Sequence, residues 1–394
     1  MGNILYTFSR VNQLGSRNDD DFSDRLSHRY TTILLTVFSI LVTGKQYTGD
    51  PIHCWCPAAF SDAQVNYANS LCWIKNTYYI PIGDLLPLED EPRRSKEISY
   101  YQWVPIVLLG QACLFYLPCL VWRILNSRSG INVNNIVRTV SDSDHVNPDI
   151  RERTIKYLVR HMDRCFENQR EYRTGWCIKV RQFIATKMCL LCGRRYGNFL
   201  IASYLLVKLL YFLNALGQLF LMNAFLKTEY MLYGYEVLRD LAKMDDWTAS
   251  IRFPRVTLCD FKIRMFGHNV HRYTVQCVLP INLFNEKIYI FLWFWFVVIA
   301  CSAFYTFMST LMIAIAGNRI RYIKKYLKLM GRYDKETEKK VIGKFVNLYL
   351  KQDGVFVVRL LSKNTNDVFV SEIICGLWTF YKNYRRTGAE VAMV

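Results

Sequence analysis

Four cysteines carry the first chemistry legible in this chain. Cys54 and Cys72, then Cys259 and Cys277, form two pairs with seventeen residues between the members of each. Thiols placed outside the cell form lasting disulfides, whereas cytosolic thiols stay reduced. Both pairs lie in long loops between apolar segments, and with four membrane crossings the two loops fall on the same side. They therefore read as disulfides holding two extracellular loops together, with three connectivities open. Other candidates for chemistry are weaker. Cys54-Trp55-Cys56 is too close for the usual two-residue metal spacing, and His53, His268 and His271 form no cluster with it, so no metal is expected. Cys56 is left without an outside partner, and Cys189-Leu190-Leu191-Cys192, lacking a second pair, reads as a reduced structural pair. Asp19-Asp20-Asp21, beside Arg17 and Arg25, reads as a solvated turn. No phosphate-binding glycine loop, nucleophile elbow or His-Glu-x-x-His occurs, so no catalytic residue, cofactor or enzymatic activity is expected.

The elements that must position these cysteines are membrane spans. Of 394 residues, 52% are hydrophobic, 15% aromatic and only 21% charged. Ile288–Ile315 runs without a charge, well beyond the ~20 residues needed to cross a bilayer. Phe199–Leu226 is interrupted only by Lys208, and Trp103–Leu125 contains Pro105, Pro118 and Arg123. The first span, Tyr30–Thr48, is diluted by Thr32, Thr36 and Ser39 and has Lys45 near its end. A hydroxyl stripe with a terminal cation suits a pore-facing helix, since polar groups avoid lipid.

Charge orients the spans. The segments 1–29, 126–197 and 317–394 hold thirty-four Lys and Arg, against thirteen in 49–99 and 227–287. The positive-inside rule places both termini in the cytoplasm and the cysteine loops outside, in agreement with the disulfide chemistry. The net charge of +18 therefore reflects contact with anionic lipid, as at Arg319, Arg321, Lys324 and Lys325, and no nucleic-acid partner is expected.

The reading is an all-α polytopic membrane protein. It comprises an N-terminal arm (1–29), spans at 30–48, 100–125, 198–226 and 288–316, extracellular loops at 49–99 and 227–287, a cytoplasmic loop (126–197) and a C-terminal region (317–394). Apolar residues recur at helical steps at Ile155, Leu158, Val159 and Met162, at Ile320, Ile323, Leu327 and Met330, and at Val341, Phe345, Leu348 and Tyr349. These helices pack together as a cytoplasmic dome. In the second outer loop, alternation on either side of Gly267-His268-Asn269 predicts a β-hairpin. The aromatics Trp55 and Trp73, each next to a cysteine, suit packing over a bridge. In the arm, Ile4, Leu5, Phe8, Val11 and Leu14 form an apolar stripe opposite Asn3, Arg10 and Gln13; the arm either lies on the inner leaflet or folds into a pore mouth. Tyr6 stands where N-myristoylation needs Ser or Thr.

At the start of the second span, Tyr100-Tyr101-Gln102-Trp103-Val104-Pro105 resembles the signature of the innexins, the gap-junction proteins of invertebrates. The two cysteines per outer loop, the Cys-Trp-x-Pro after the first span, and the stretches Phe253–Thr257 and Gln276–Lys287 are similar to the same family. The resemblance runs from about Asp20 to Leu360. It implies a gap-junction channel subunit of the plasma membrane, assembled with the same or related subunits in a ring of about eight that docks onto a second ring on the adjacent cell. It also implies bridges between the loops, Cys54 with Cys277 and Cys72 with Cys259, leaving Cys56 free. A pore makes Asn3, Arg10, Gln13 and Lys45 the candidate lumen or gating residues. The competing readings are an undocked large-pore channel and a membrane transporter, the latter expected to show internal repeats and broken helices.

Overall fold

The computed structural model describes residues 20–81, 83–131, 133–142, 148–168, 197–226, 230–243, 252–265, 267, 269–332 and 339–386. Four helices in it are long and apolar enough to cross a membrane: α1 (Phe22–Thr48), α4 (Tyr100–Arg128), α7 (Phe199–Leu226) and α9 (Pro280–Ala314). Helix α1 opens with one α-helical turn and a π-helical turn, Leu26–Tyr30, before regular helix from Thr31. Helix α9 begins at Pro280, where a missing N–H costs nothing and the fixed φ suits a first helical turn.

Contacts group the chain into two compact units. One holds the chain up to Leu26, Leu117–Phe212 and the chain from Ser302 onward; the other holds Ser27–Tyr116 and Leu213–Cys301.

The second unit carries the cysteine loops. Its first loop supplies β1 (His53–Trp55), α2 (Asp62–Lys75), β2 (Thr77–Tyr78), the short α3 (Asp90–Arg94) and β3 (Glu97–Ile98). The Ser61 N–H donates to Gln64 Oε1 at 2.9 Å, the reciprocal cap that starts α2. The second loop supplies α8 (Tyr233–Lys243), β4 (Val256–Met265) and β5 (Asn269–Val278). The predicted hairpin is present: β4 and β5 pair antiparallel from Val256↔Val278 to Met265↔Asn269. Gly267, with φ +84°, takes the left-handed conformation its tight turn requires. The strands of both loops make one five-stranded sheet in the order β1-β5-β4-β2-β3.

The first unit is the expected helical domain. Helices α5 (Val133–Asp142), α6 (Pro148–Asn168), α10 (Ala316–Leu329), α11 (Lys339–Lys344, continued by a π-helical turn at Phe345–Leu350), α12 (Lys351–Asn364) and α13 (Asp367–Arg386) surround a common core. Leu158, Val159, Met162, Ile323, Leu327, Phe345 and Tyr349 all point into that core, whereas Leu348 is exposed. The core also takes in Trp122 of α4 and Tyr204 of α7, whose ring centroids are 4.9 Å apart, with Phe356 4.8 Å from Tyr204.

Candidate functional site

The disulfide-bonded sheet is built from residues far apart in sequence. Antiparallel pairing of β1 with β5 sets Cys54 directly opposite Cys277, and the two are bonded; Cys72, on the buried face of α2, is bonded to Cys259 of β4. Both bridges therefore join one loop to the other. They are neighbours, with the Sγ atoms of Cys54, Cys72 and Cys277 within 4.8 Å of one another. Bonded sulfurs offer no thiolate, so this cluster is covalent structure rather than a metal site. Cys56 is free and half-buried, and burial pushes its thiol pKa up. Trp55 does not cover a bridge as expected: its alternating strand position turns it outward, 83% exposed. Trp73 packs instead on Tyr101, with centroids 5.0 Å apart.

Asp260 of β4 is the polar hub of this unit, and the sequence reading missed it. Its carboxylate accepts from Thr274 (2.7 Å), Tyr78 (2.9 Å), Arg272 (2.9 Å) and Arg93 (2.6 Å). Burial works to raise its pKa, but those hydrogen bonds outweigh it and hold the carboxyl below its ordinary value. Burial, reinforced by Asp260, pushes the Tyr78 hydroxyl up to about 12. Strand pairing and the packing of α3 bring these groups together.

The Tyr-Tyr-Gln-Trp-Val-Pro segment fixes the start of α4. Tyr100 is buried, and its hydroxyl donates to the Arg252 carbonyl at 3.0 Å, anchoring the root of β4. Pro105 has no N–H to give the Tyr101 carbonyl one turn back; that carbonyl accepts from Gln46 Nε2 of α1 at 2.8 Å instead. The Pro105 carbonyl accepts from Ser39 at 2.9 Å. Gln102 donates to the Trp73 carbonyl, while Trp103 is exposed.

The first unit corrects one reading outright. Asp20 and Asp21 do not form a solvated turn; they are buried, as is Asp24. Lys208, which interrupts the third apolar run, is fully buried and lies 2.7 Å from Asp24 and 3.2 Å from Asp21. Tyr204 donates to Asp24 at 2.7 Å, and Lys363 of α12 donates to Asp21 at 2.8 Å. Burial alone would raise the Asp21 carboxyl, but the ammonium groups of Lys208 and Lys363 overcome it and hold its pKa at about 2. The partners stand well over a hundred residues away in sequence, so the local pattern of three Asp beside Arg gave no sign of them.

A family model described as Innexin matches residues 20–381. The chain is 39% identical over 386 residues to Innexin unc-9 of Caenorhabditis elegans, covering 97% of each chain. It is 36% identical to Innexin-10 of the same organism, over 95% of this chain and 67% of that one, and 37% identical to Innexin-3, over 90% and 82%. The chain belongs to the innexin family. It is accordingly a gap-junction channel subunit, and innexins are channel proteins that assemble with the same or related subunits.

Of the expected pore residues of this innexin, Lys45 falls among the described residues. Asn3, Arg10 and Gln13, like Asp19, His268, Cys189 and Cys192, lie outside the described residues. Lys45 is half-buried near the C-terminal end of α1. The hydroxyl stripe of α1 is engaged inside the chain: Thr32 donates to the Ala112 carbonyl (3.4 Å), Ser39 is buried against Pro105, and Thr36 and Thr43 bond back to their own helix. Each of these hydroxyls has an acceptor within the chain.

Proposed function

We propose that this innexin forms, with the same or related subunits, a ring of about eight around a central pore, and that rings of adjacent cells dock through the cysteine loops to pass ions and small metabolites. The observation that carries this reading is the single sheet built from both loops and joined by two disulfides. A face ordered before contact loses little conformational entropy when it docks. The disulfides suit an extracellular position for the loops. The Lys and Arg bias favours a cytoplasmic position for both termini and for 126–197. In this arrangement Asn3, Arg10 and Gln13 of the arm line the mouth and Lys45 stands near the other end of the first span, each charge repeated by the ring. Conduction asks for a wide polar path and no covalent chemistry, so no catalytic role is assigned.

Paired cells that lack native coupling, expressing this chain alone, are expected to pass junctional current and a small dye. Channel current in single cells with none between pairs would overturn docking and leave the undocked channel. Saturable flux without unitary conductance would favour a transporter. Tags at either terminus should be reached by antibody only after permeabilisation; labelling of intact cells would reverse the orientation.

A further inference from the structure

Helix α8 has three faces, and one has no partner among the described residues. Tyr233 and Gly234 are buried. A β-carbon at Gly234 would meet the Trp293 ring of α9 at 2.1 Å, so the backbone lies directly on that indole, which donates to the Met231 carbonyl at 3.0 Å. Tyr230 and Tyr233 flank the seat, and the Tyr230 hydroxyl donates to the Tyr289 carbonyl of α9 at 2.6 Å. The polar face carries Glu236, Arg239, Asp240 and Lys243; Glu236 pairs with Arg252 at 2.6 Å and Asp240 with Arg239 at 3.1 Å. The third face is apolar and open: Tyr235, Leu238 and Leu241 are 60%, 51% and 60% exposed.

The depth of the seat indicates what covers that face. Lys287 is the last charge before the apolar run of α9, and Trp293 stands under two turns beyond it, ~9 Å along the axis. That is where a bilayer passes from headgroup to acyl chain, the level at which Trp and Tyr collect and at which amphipathic helices bury their apolar side. The third span also exposes apolar side chains near its C-terminal end, at Phe220 and Leu221 of α7. The two acidic and two basic residues of α8 cancel, unlike the basic face that a helix drawn to anionic lipid presents.

We propose that α8 is an interfacial helix lying in the leaflet on the disulfide-bearing side of the membrane, its Tyr235–Leu238–Leu241 face against the acyl chains of zwitterionic phospholipid. Because Glu236 holds Arg252, whose carbonyl accepts from Tyr100, the lipid-facing helix is tied to the root of the hairpin.

The test uses the full-length chain in phosphatidylcholine nanodiscs containing a phosphatidylcholine with a photoactivatable acyl chain. Label in the unsubstituted protein is expected on the peptide containing Leu232–Leu241. Benzoylphenylalanine at Tyr235, Leu238 or Leu241 should then yield a phosphatidylcholine adduct several-fold above the same probe at Arg239 or Lys243. Cross-links from the apolar positions to a second subunit, with no lipid adduct, would overturn the proposal by making this face a subunit contact. Absence of both lipid label and cross-link would overturn it by making the face water-exposed.

Discussion

Two buried residues of the helical unit answer pH in opposite directions. Lys208 pairs with both Asp21 and Asp24 with no solvent access, and Lys363 supplies the second positive charge at Asp21. Removing one partner of such a group leaves the other charges buried and uncompensated, at a cost of ~3–5 kcal/mol. Lys208→Met should therefore abolish accumulation of folded protein, measured by size-exclusion profile in detergent; a normal profile and melting temperature would refute the role. Because the Asp21 pKa is depressed to about 2, its stabilisation is present above the ordinary carboxylate range and is lost as pH falls through that value. Asp353 of α12 behaves the other way. It accepts from the Ile201 N–H at the start of α7 at 3.0 Å. Burial nevertheless raises its pKa to about 6, against the N–H groups of Phe199, Leu200 and Ile201 and the charge of Lys351, all of which favour the anion. A raised carboxyl loses stability as pH climbs from ~4 through that value, a penalty of roughly 3 kcal/mol at neutral pH. Asp353→Asn keeps an oxygen for the Ile201 N–H and removes the charge. It should raise the melting temperature at pH 7.5, with the gain shrinking toward pH 4; a gain independent of pH would show that ionisation is not the cause.

At the scale of elements, some parts were legible and others were not, for physical reasons. The long apolar runs became helices because bilayer-length apolar sequence has few alternatives. The hairpin was readable from alternation around Gly267, since strand period and turn chemistry are both local. Helix α8 carries a local signal too, with apolar residues at 235, 238 and 241 against charges at 236, 239, 240 and 243. Asp260 gave no such signal, because its four donors converge only after β2, β4 and β5 pair and α3 closes on them. The Tyr-Tyr-Gln-Trp-Val-Pro segment was readable as a signature but not as a mechanism. The structure supplies one: Pro105 withholds the N–H that would satisfy Tyr101, and Gln46 of α1 provides it. This predicts a coupled pair. Gln46→Leu should cost ~1–3 kcal/mol by leaving the carbonyl unsatisfied, and much less in a Pro105→Ala background, where residue 105 can donate. A double-mutant cycle on thermal or denaturant stability measures the coupling, and additive costs would reject it.

For the whole molecule, four crossings and two linked loops followed from composition and cysteine placement, whereas ring size leaves no trace in a single chain because it depends on the angle between neighbouring copies. The nested bridges set the last expectation. Cys54–Cys277 and Cys72–Cys259 have sequence separations of 223 and 187, yet they do not contribute as independent large loops. Once the inner bridge has formed, the outer one closes only the two short stretches between each loop's own cysteines. Chain entropy then assigns the outer bridge ~3–4 kcal/mol, less than its sequence separation suggests. The β4–β5 pairing and the Asp260 hydrogen bonds do not depend on the outer bridge, so much of the sheet should survive without it. β1 should not, since its three residues pair with β5 alone. The paired variant Cys54→Ser with Cys277→Ser leaves no stray thiol from that bridge. It should reach the cell surface, keep the Cys72–Cys259 bond by peptide mapping, and lose most junctional current between paired cells. The matching Cys72→Ser with Cys259→Ser pair removes the link between α2 and β4 and should fail earlier, at surface delivery. Full junctional coupling in the first variant would show that docking does not require the ordered edge β1 provides. Equal surface loss in both would show that the sheet folds only as a unit.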